Sequence, residues 1–367
     1  MENVSLTFAA IDREYVASIP QLTETEYGGK GYIYYGEDNL YPSYLYELFL
    51  DVSSLKTVIE GTSNYVAGDE ATCNIDGFSF EVNRKGMTAR ELIELLARDY
   101  LLYGGYAIQV IRNQVGDVAE LYHLDFRFCR CDKYNESIYY NEDFGKKYAR
   151  SSKSIIYPKF IRENKDIPAS VLYVKNNNST TYPIPRYSGA LKACEIERHI
   201  DEYFLNSLEN GFAGSAVINF LNGVPTDEQK KEIEKSIQSK FAGSKNAGRI
   251  VLNFANGKDN AATIEKLDVE DFGDKYKATA QRSREQIYTA FQASPVLFGL
   301  SNASTGWNDQ DFKEAFKLYN KTTVRGIQRT ILENFDKIFG VKDSFTIQPF
   351  TVDWSDEDTN NDNKAIS

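Results

Sequence analysis

Between residues 309 and 339 apolar side chains return every three or four positions: Phe312, Phe316, Tyr319, Thr323, Ile327, Ile331, Phe335 and Ile338. This spacing lays a single apolar stripe along one helix, and Gly340 closes it in the C′ position. At 1.5 Å per residue such a helix is on the order of 45 Å long, more than a small domain needs, so a spanning element is predicted. Gly326 lies inside it and is expected to weaken or bend it by about 1 kcal/mol relative to Ala. Upstream, a helix arriving from Asp274 must stop at Ser294, because Pro295 has no N–H to donate and pushes the preceding residue out of the α region. The chain is then predicted to run loose to about Trp307, since Gly299, Ser301, Asn302, Ser304, Thr305, Gly306 and Asn308 are small or turn-forming.

The same patterns organise the rest of the chain. Leu45, Leu48, Phe49, Leu55, Val58, Ile59 and Val66 predict one or two helices from Pro42 to about Val66, with short strands around Gly77 to Val82. Thr88 and Glu91 form a capping-box pair ahead of Leu92, Ile93, Leu95, Leu96, Tyr100 and Leu101, a helix ended by Gly104-Gly105. YAIQVIR (106–112) and DVAELYHL (117–124) read as a hairpin, and FRFCRC, SIYY, SIIYPKFI and SVLYV as further strands. Residues 88–175 are thus expected to lay a helix on an antiparallel sheet. Past Pro183 and Pro185 a second long helix runs to Asn210-Gly211. SAVINFL (215–221), a helix opened by Thr226 and Gln229, RIVLNF (249–254) and ATIEKLD (262–268) then predict a small α/β knob between two helices.

Composition narrows the chemistry. At 367 residues and 42% hydrophobic the chain exceeds the usual ceiling for one compact domain. A net charge of -11 is the wrong sign for a protein that grips nucleic acid by releasing counterions, so any DNA would slide past. Cys73, Cys129, Cys131 and Cys194 contain no CxxC pair, and with only His123 and His199 there is no zinc spacing; reduced thiols are expected. The first residues carry Glu2 and no basic region, and no apolar run approaches a membrane span, which reads as soluble and not secreted. Gly243 and Gly248 have phosphate-loop spacing, but Arg249 stands where the lysine belongs, Ile250 where the Ser/Thr belongs, and the segment leads from helix to strand instead of strand to helix. Two histidines, neither beside a nucleophile, leave little for general-base catalysis.

Residues 20–46 hold Pro20 and four glycines among Tyr27, Tyr32, Tyr34, Tyr35, Tyr41, Tyr44 and Tyr46. They read either as an ordered surface arm or as an arm that packs on a neighbouring subunit, since tyrosine offers large contact area at low entropy cost.

A helix ended by Ser-Pro, the apolar Val296-Leu297-Phe298-Gly299, an Asn/Ser/Gly loop and a long helix resemble the portal (connector) proteins of tailed double-stranded DNA bacteriophages. Leu101 to Leu124 looks like the wing of those proteins, and the order helix, α/β knob, helix, Pro break, loop, long helix is similar to their stem, clip, stem, tunnel loop and wing helix. The resemblance implies an α+β fold with an arm (1–46), wing (47–185), stem helix (186–211), clip (212–268), stem helix (269–294), tunnel loop (295–308), long wing helix and closing strand (309–352) and acidic tail (353–367), with little or no crown. It implies a non-catalytic ring, typically of twelve subunits, assembled in the host cytoplasm and built into one capsid vertex of the virion, through which DNA is packaged and ejected. Its partners would be other copies of itself, terminase, the major capsid protein, neck or adaptor proteins and double-stranded DNA, with no membrane, metal or cofactor.

In that reading Leu300, Ser301, Asn302, Ala303, Ser304, Thr305 and Gly306 project into the channel and meet the DNA by steric and polar contact, there being no Lys or Arg between Val296 and Trp307. Trp307 would staple the loop to the next helix or stack on a base. Lys230, Lys231, Lys235, Lys240 and Lys245 are either a solvated helix face or the motor-docking surface of the clip. Glu195, Glu197, Asp201 and Glu202 make an acidic face that is solvated or lines the channel. The rival readings are another phage ring component, such as a neck or baseplate subunit, and a soluble enzyme with a tyrosine-rich cleft.

Overall fold

A computed structural model describes residues 23–26, 31–78, 80–145, 154–177, 180–209, 216–220, 226, 250–254, 270–299 and 309–351. The chain divides into two units, residues 1–192 with 287–367, and residues 193–286.

The first unit is built on α3 (Ala89–Tyr103), whose Thr88 side chain accepts from Glu91 N at 3.1 Å while Glu91 Oε2 accepts from Thr88 N at 2.8 Å, the expected capping box. Gly104 ends it with φ +83, and a Cβ there would sit 2.5 Å from the Ile184 carbonyl oxygen, so only glycine fits. The chain turns at once into β4 (Gly105–Arg112), the middle strand of an antiparallel sheet ordered β5-β4-β9, with β5 at Val118–Leu124 and β9 at Ala169–Lys175. A second antiparallel sheet joins β6 (Cys129–Cys131), β7 (Ser137–Tyr140) and β8 (Ile155–Pro158). The strand expected from Phe126 is shorter: Asp125 Oδ1 accepts from Arg127 N at 3.0 Å and winds Phe126–Phe128 into a 3-10 turn, leaving only the CRC segment extended.

Two helices precede this core, α1 (Tyr41–Asp51) and α2 (Ser53–Ala67), separated by an extended Val52. The strand predicted at 77–82 is instead β3 (Glu70–Cys73), paired antiparallel with β12 (Phe345–Gln348). At 81–82 only an isolated bridge, Glu81 to Thr88, remains. The tyrosine-rich stretch contributes β1 (Glu24–Glu26) and β2 (Ile33–Tyr35), paired antiparallel. Tyr35 is fully buried, stacked on Tyr182 at 4.0 Å, and its hydroxyl donates to the Pro183 carbonyl at 2.9 Å. Tyr41 is buried too, so these two rings are spent inside their own chain. Arg130 fastens this region: fully buried, its guanidinium donates to Asn39 Oδ1 (2.5 Å), Asn39 O (2.7 Å), Arg127 O (2.9 Å) and Cys129 O (2.8 Å).

The long C-terminal helix is three segments, α6 (Asp309–Tyr319), a π-helical Asn320–Val324 and α7 (Arg325–Phe339). The irregularity predicted at Gly326 thus lies just before it. Its cause is packing: Tyr319, Thr323, Val324 and Ile327 are all buried, and the wider π turn accommodates one extra residue between the two α segments. Tyr319 Oη is 2.7 Å from Thr62 Oγ1 of α2, and Gln328 Nε2 donates to Val66 O at 2.9 Å, so both sides of the π turn are tied to one helix.

The second unit holds most of α4 (Leu191–Glu209) and of α5 (Glu270–Ala290), with β10 (Ala216–Phe220) paired parallel to β11 (Ile250–Phe254). Tyr203 stacks on Tyr276 at 4.9 Å between the two helices. The acidic face expected on α4 is divided. Glu195 and Glu197 are buried, Glu195 2.7 Å from Arg198, whereas Asp201 and Glu202 are exposed. The helix expected from Thr226 and the strand at 262–268 lie outside the described residues.

Candidate functional site

The loop singled out in the sequence is best approached through its two anchors. On the near side α5 ends at Ala290, four residues before the position expected from Pro295, because Gln292 takes the left-handed conformation at φ 54. Ser294 is extended at ψ 131, and Pro295 then opens a 3-10 turn, Pro295–Phe298, closed by Gly299 at φ 79. The loose stretch predicted from Pro295 therefore does not begin there. Leu297 is buried and its carbonyl accepts from the Tyr65 hydroxyl at 2.8 Å. Phe298 lies against Tyr65 (6.2 Å between centroids), Tyr288 (5.9 Å) and Tyr319 (6.2 Å). It crosses α2 at Gly61, where an added Cβ would come within 2.7 Å of its ring.

On the far side, Phe312 and Phe316 are stacked along α6, and Phe316 meets Tyr65 edge-on at 5.3 Å. Phe350 closes the cluster 5.2 Å from Tyr65 and 5.9 Å from Phe316. Tyr65 of α2 thus touches both the residue before the loop and the helix after it. Burial raises its hydroxyl pKa, and pushes that of Tyr319 up to about 12, so both hydroxyls stay protonated at neutral pH. Each aromatic pair adds about 0.5–1.5 kcal/mol beyond its area.

Leu300, Ser301, Asn302, Ala303, Ser304, Thr305, Gly306 and Trp307 lie outside the described residues, as do Lys230, Lys231, Lys235, Lys240, Lys245 and the glycine-rich 243–249. What the structure brings together is the framework that holds the ends of 300–308, and the sequence reading missed its centre, Tyr65. The signal available was weak: one tyrosine on an amphipathic helix, far from the loop in sequence. A partly buried pair was missed as well, His123 Nε2 lying 2.7 Å from Asp99 Oδ2 between β5 and α3. Among the described residues no group of His, Cys, Asp and Glu is arranged to hold a metal ion, and no helix is long and apolar enough to cross a membrane.

With this architecture in view, the comparisons define the class. The chain matches the phage portal protein family over residues 82–362, well over half its length, and belongs to that family. It is similar in fold to a chain of the virion of a native gene transfer agent particle, with a TM-score of 0.52 at 17% identity over 88% of this chain and 87% of that one. An HK97-family phage portal protein from Corynebacterium diphtheriae aligns with a TM-score of 0.47 at 10% identity over 83% of this chain and 94% of that one. An uncharacterized protein of Rickettsia bellii (strain RML369-C) is 27% identical over 158 residues, 42% of this chain and 39% of that protein. The chain spans about two fifths of the length of the curated relatives it matches.

Proposed function

We propose that this chain is the subunit of a non-catalytic ring, of twelve copies in the manner of its family, set at one capsid vertex and threaded by double-stranded DNA during packaging and ejection. Residues 295–308 are the tunnel-loop segment, residues 212–268 the clip that meets terminase and later the neck proteins, with Lys230, Lys231, Lys235, Lys240 and Lys245 on its docking face, and the major capsid protein is a further partner. The observation that carries the reading is the anchoring of 300–308. A segment held at one end by Leu297 and Phe298 and at the other by Phe316, all three against Tyr65, with Phe312 stacked on Phe316, can be pushed by a moving duplex without displacing the body behind it. The uncharged Leu300–Gly306 would guide DNA without gripping it.

The test combines imaging with a deletion. Purified chain is expected to give rings with a central hole, and a variant lacking Ser301 to Thr305 should keep the rings while packaging less DNA or retaining it less well. A compact 41.7 kDa species at micromolar concentration, or a deletion variant that packages and retains DNA like its parent, would overturn the reading.

A further inference from the structure

The outer face of the long helix carries a feature the portal reading did not use. Lys317, Lys321, Arg325 and Arg329 stand at intervals of four residues, and all four are exposed. Between Glu314 and Glu333 the helix contains no carboxylate, in a chain with 53 acidic residues against 42 basic ones. Among the described residues none of the four makes an ion pair, although Arg84, Arg90 and Arg198 elsewhere all do.

Four-residue spacing does not by itself align charges. An α-helix turns about 100° per residue, so three steps of four drift by about 120° around the axis. The π segment Asn320–Val324 lies inside this run and takes up one extra residue, which reduces the drift to about 20°. The cations therefore form a nearly straight row, one every 6 Å or so along the axis. Gly326, one residue beyond Arg325 and so about 100° around the helix from it, has nothing within 4 Å of where its Cβ would be, which leaves the flank of the row open.

We propose that this row binds the phosphate backbone of duplex DNA. Phosphates of one DNA strand rise ~3.4 Å along the axis per step and also wind around it, which puts neighbours roughly 7 Å apart in space, so successive cations come close to the spacing of consecutive phosphates. The inference rests on the portal reading for bringing DNA to this helix, which begins directly after the tunnel loop. It also refines the expectation from net charge: the chain as a whole repels DNA, and the row is a local exception. A second copy of this acidic chain is the competing occupant.

The experiment uses the full-length chain and a 30-base-pair duplex followed by fluorescence anisotropy against salt, with ring formation measured in parallel. Four neutralised contacts predict a slope of log K against log salt near −3.6, about a hundredfold loss of affinity from 50 to 200 mM. The variant Lys317→Gln, Lys321→Gln, Arg325→Gln, Arg329→Gln should still form rings, and its slope should fall toward zero. An unchanged slope, no binding by the parent at 50 mM salt, or a variant that loses its rings because the row is a subunit contact, each overturns the proposal. A parent that forms no rings yet binds DNA through the row would sink the portal reading and leave this one standing.

Discussion

Gly61 matters because of what lies over it. With 2.7 Å between its virtual Cβ and the Phe298 ring, Gly61→Ala must move either the ring or α2, and overpacking of this kind costs about 1–3 kcal/mol. A lower Tm is expected, together with faster proteolysis near residue 298, and an unchanged Tm would show that Phe298 shifts at no cost. The His123–Asp99 pair gives a second test. Burial would lower the His123 pKa, but the Asp99 charge and hydrogen bond, with Asp125 beyond, outweigh it and hold it above the usual 6.5. Because the folded pKa is the higher one, the pair's contribution is fully present below 6.5 and is lost as pH rises through the folded value. The Tm difference between parent and His123→Gln should therefore narrow from about pH 5.5 to 8.5. A difference that widened would mean the imidazole is neutral in the fold.

Among the elements, legibility followed the range of the forces that set them. The capping box at Thr88, the glycine pair after Tyr103 and the stripe from Phe312 to Ile338 depend on neighbours within a turn or two, and could be read directly. Three features could not. β3 lies at 70–73 instead of 77–82 because its partner is β12, at the other end of the chain. The π turn follows from how Tyr319 and Gln328 must both reach α2, which no local propensity encodes. Buried Glu195 and Glu197 share a helix with exposed Asp201 and Glu202, a division that tertiary burial makes and composition hides. Of the candidate site, the break at Pro295 was legible, while the 3-10 turn that follows it and Tyr65 were not. The four cations at 317, 321, 325 and 329 went unread in the sequence, and their alignment depends on the π turn.

At the scale of the molecule, the first unit is assembled from two separated stretches, 1–192 and 287–367. α7 and β12 complete it: Asn334 Nδ2 donates to the Tyr106 hydroxyl at 3.1 Å, and Phe335 stacks on Phe345 at 4.0 Å. A chain ended after residue 308 should therefore expose the faces of α2 and α3 that these elements cover, read as raised binding of an apolar dye and early loss of protease resistance. Native-like resistance in that truncation would show that the N-terminal stretch folds on its own.

That division also sets a clock. Asn74 and Thr346 bond at 2.8 Å across 272 positions, a closure costing on the order of 5 kcal/mol in chain entropy. At roughly 5–20 residues per second, the ribosome needs about ten to thirty seconds to pass from residue 192 to residue 351. For that interval the nascent chain carries Tyr65, Val66 and the edge of β3 without the strand and helix that cover them. It is in those seconds that the protein is open to misassociation with its own copies.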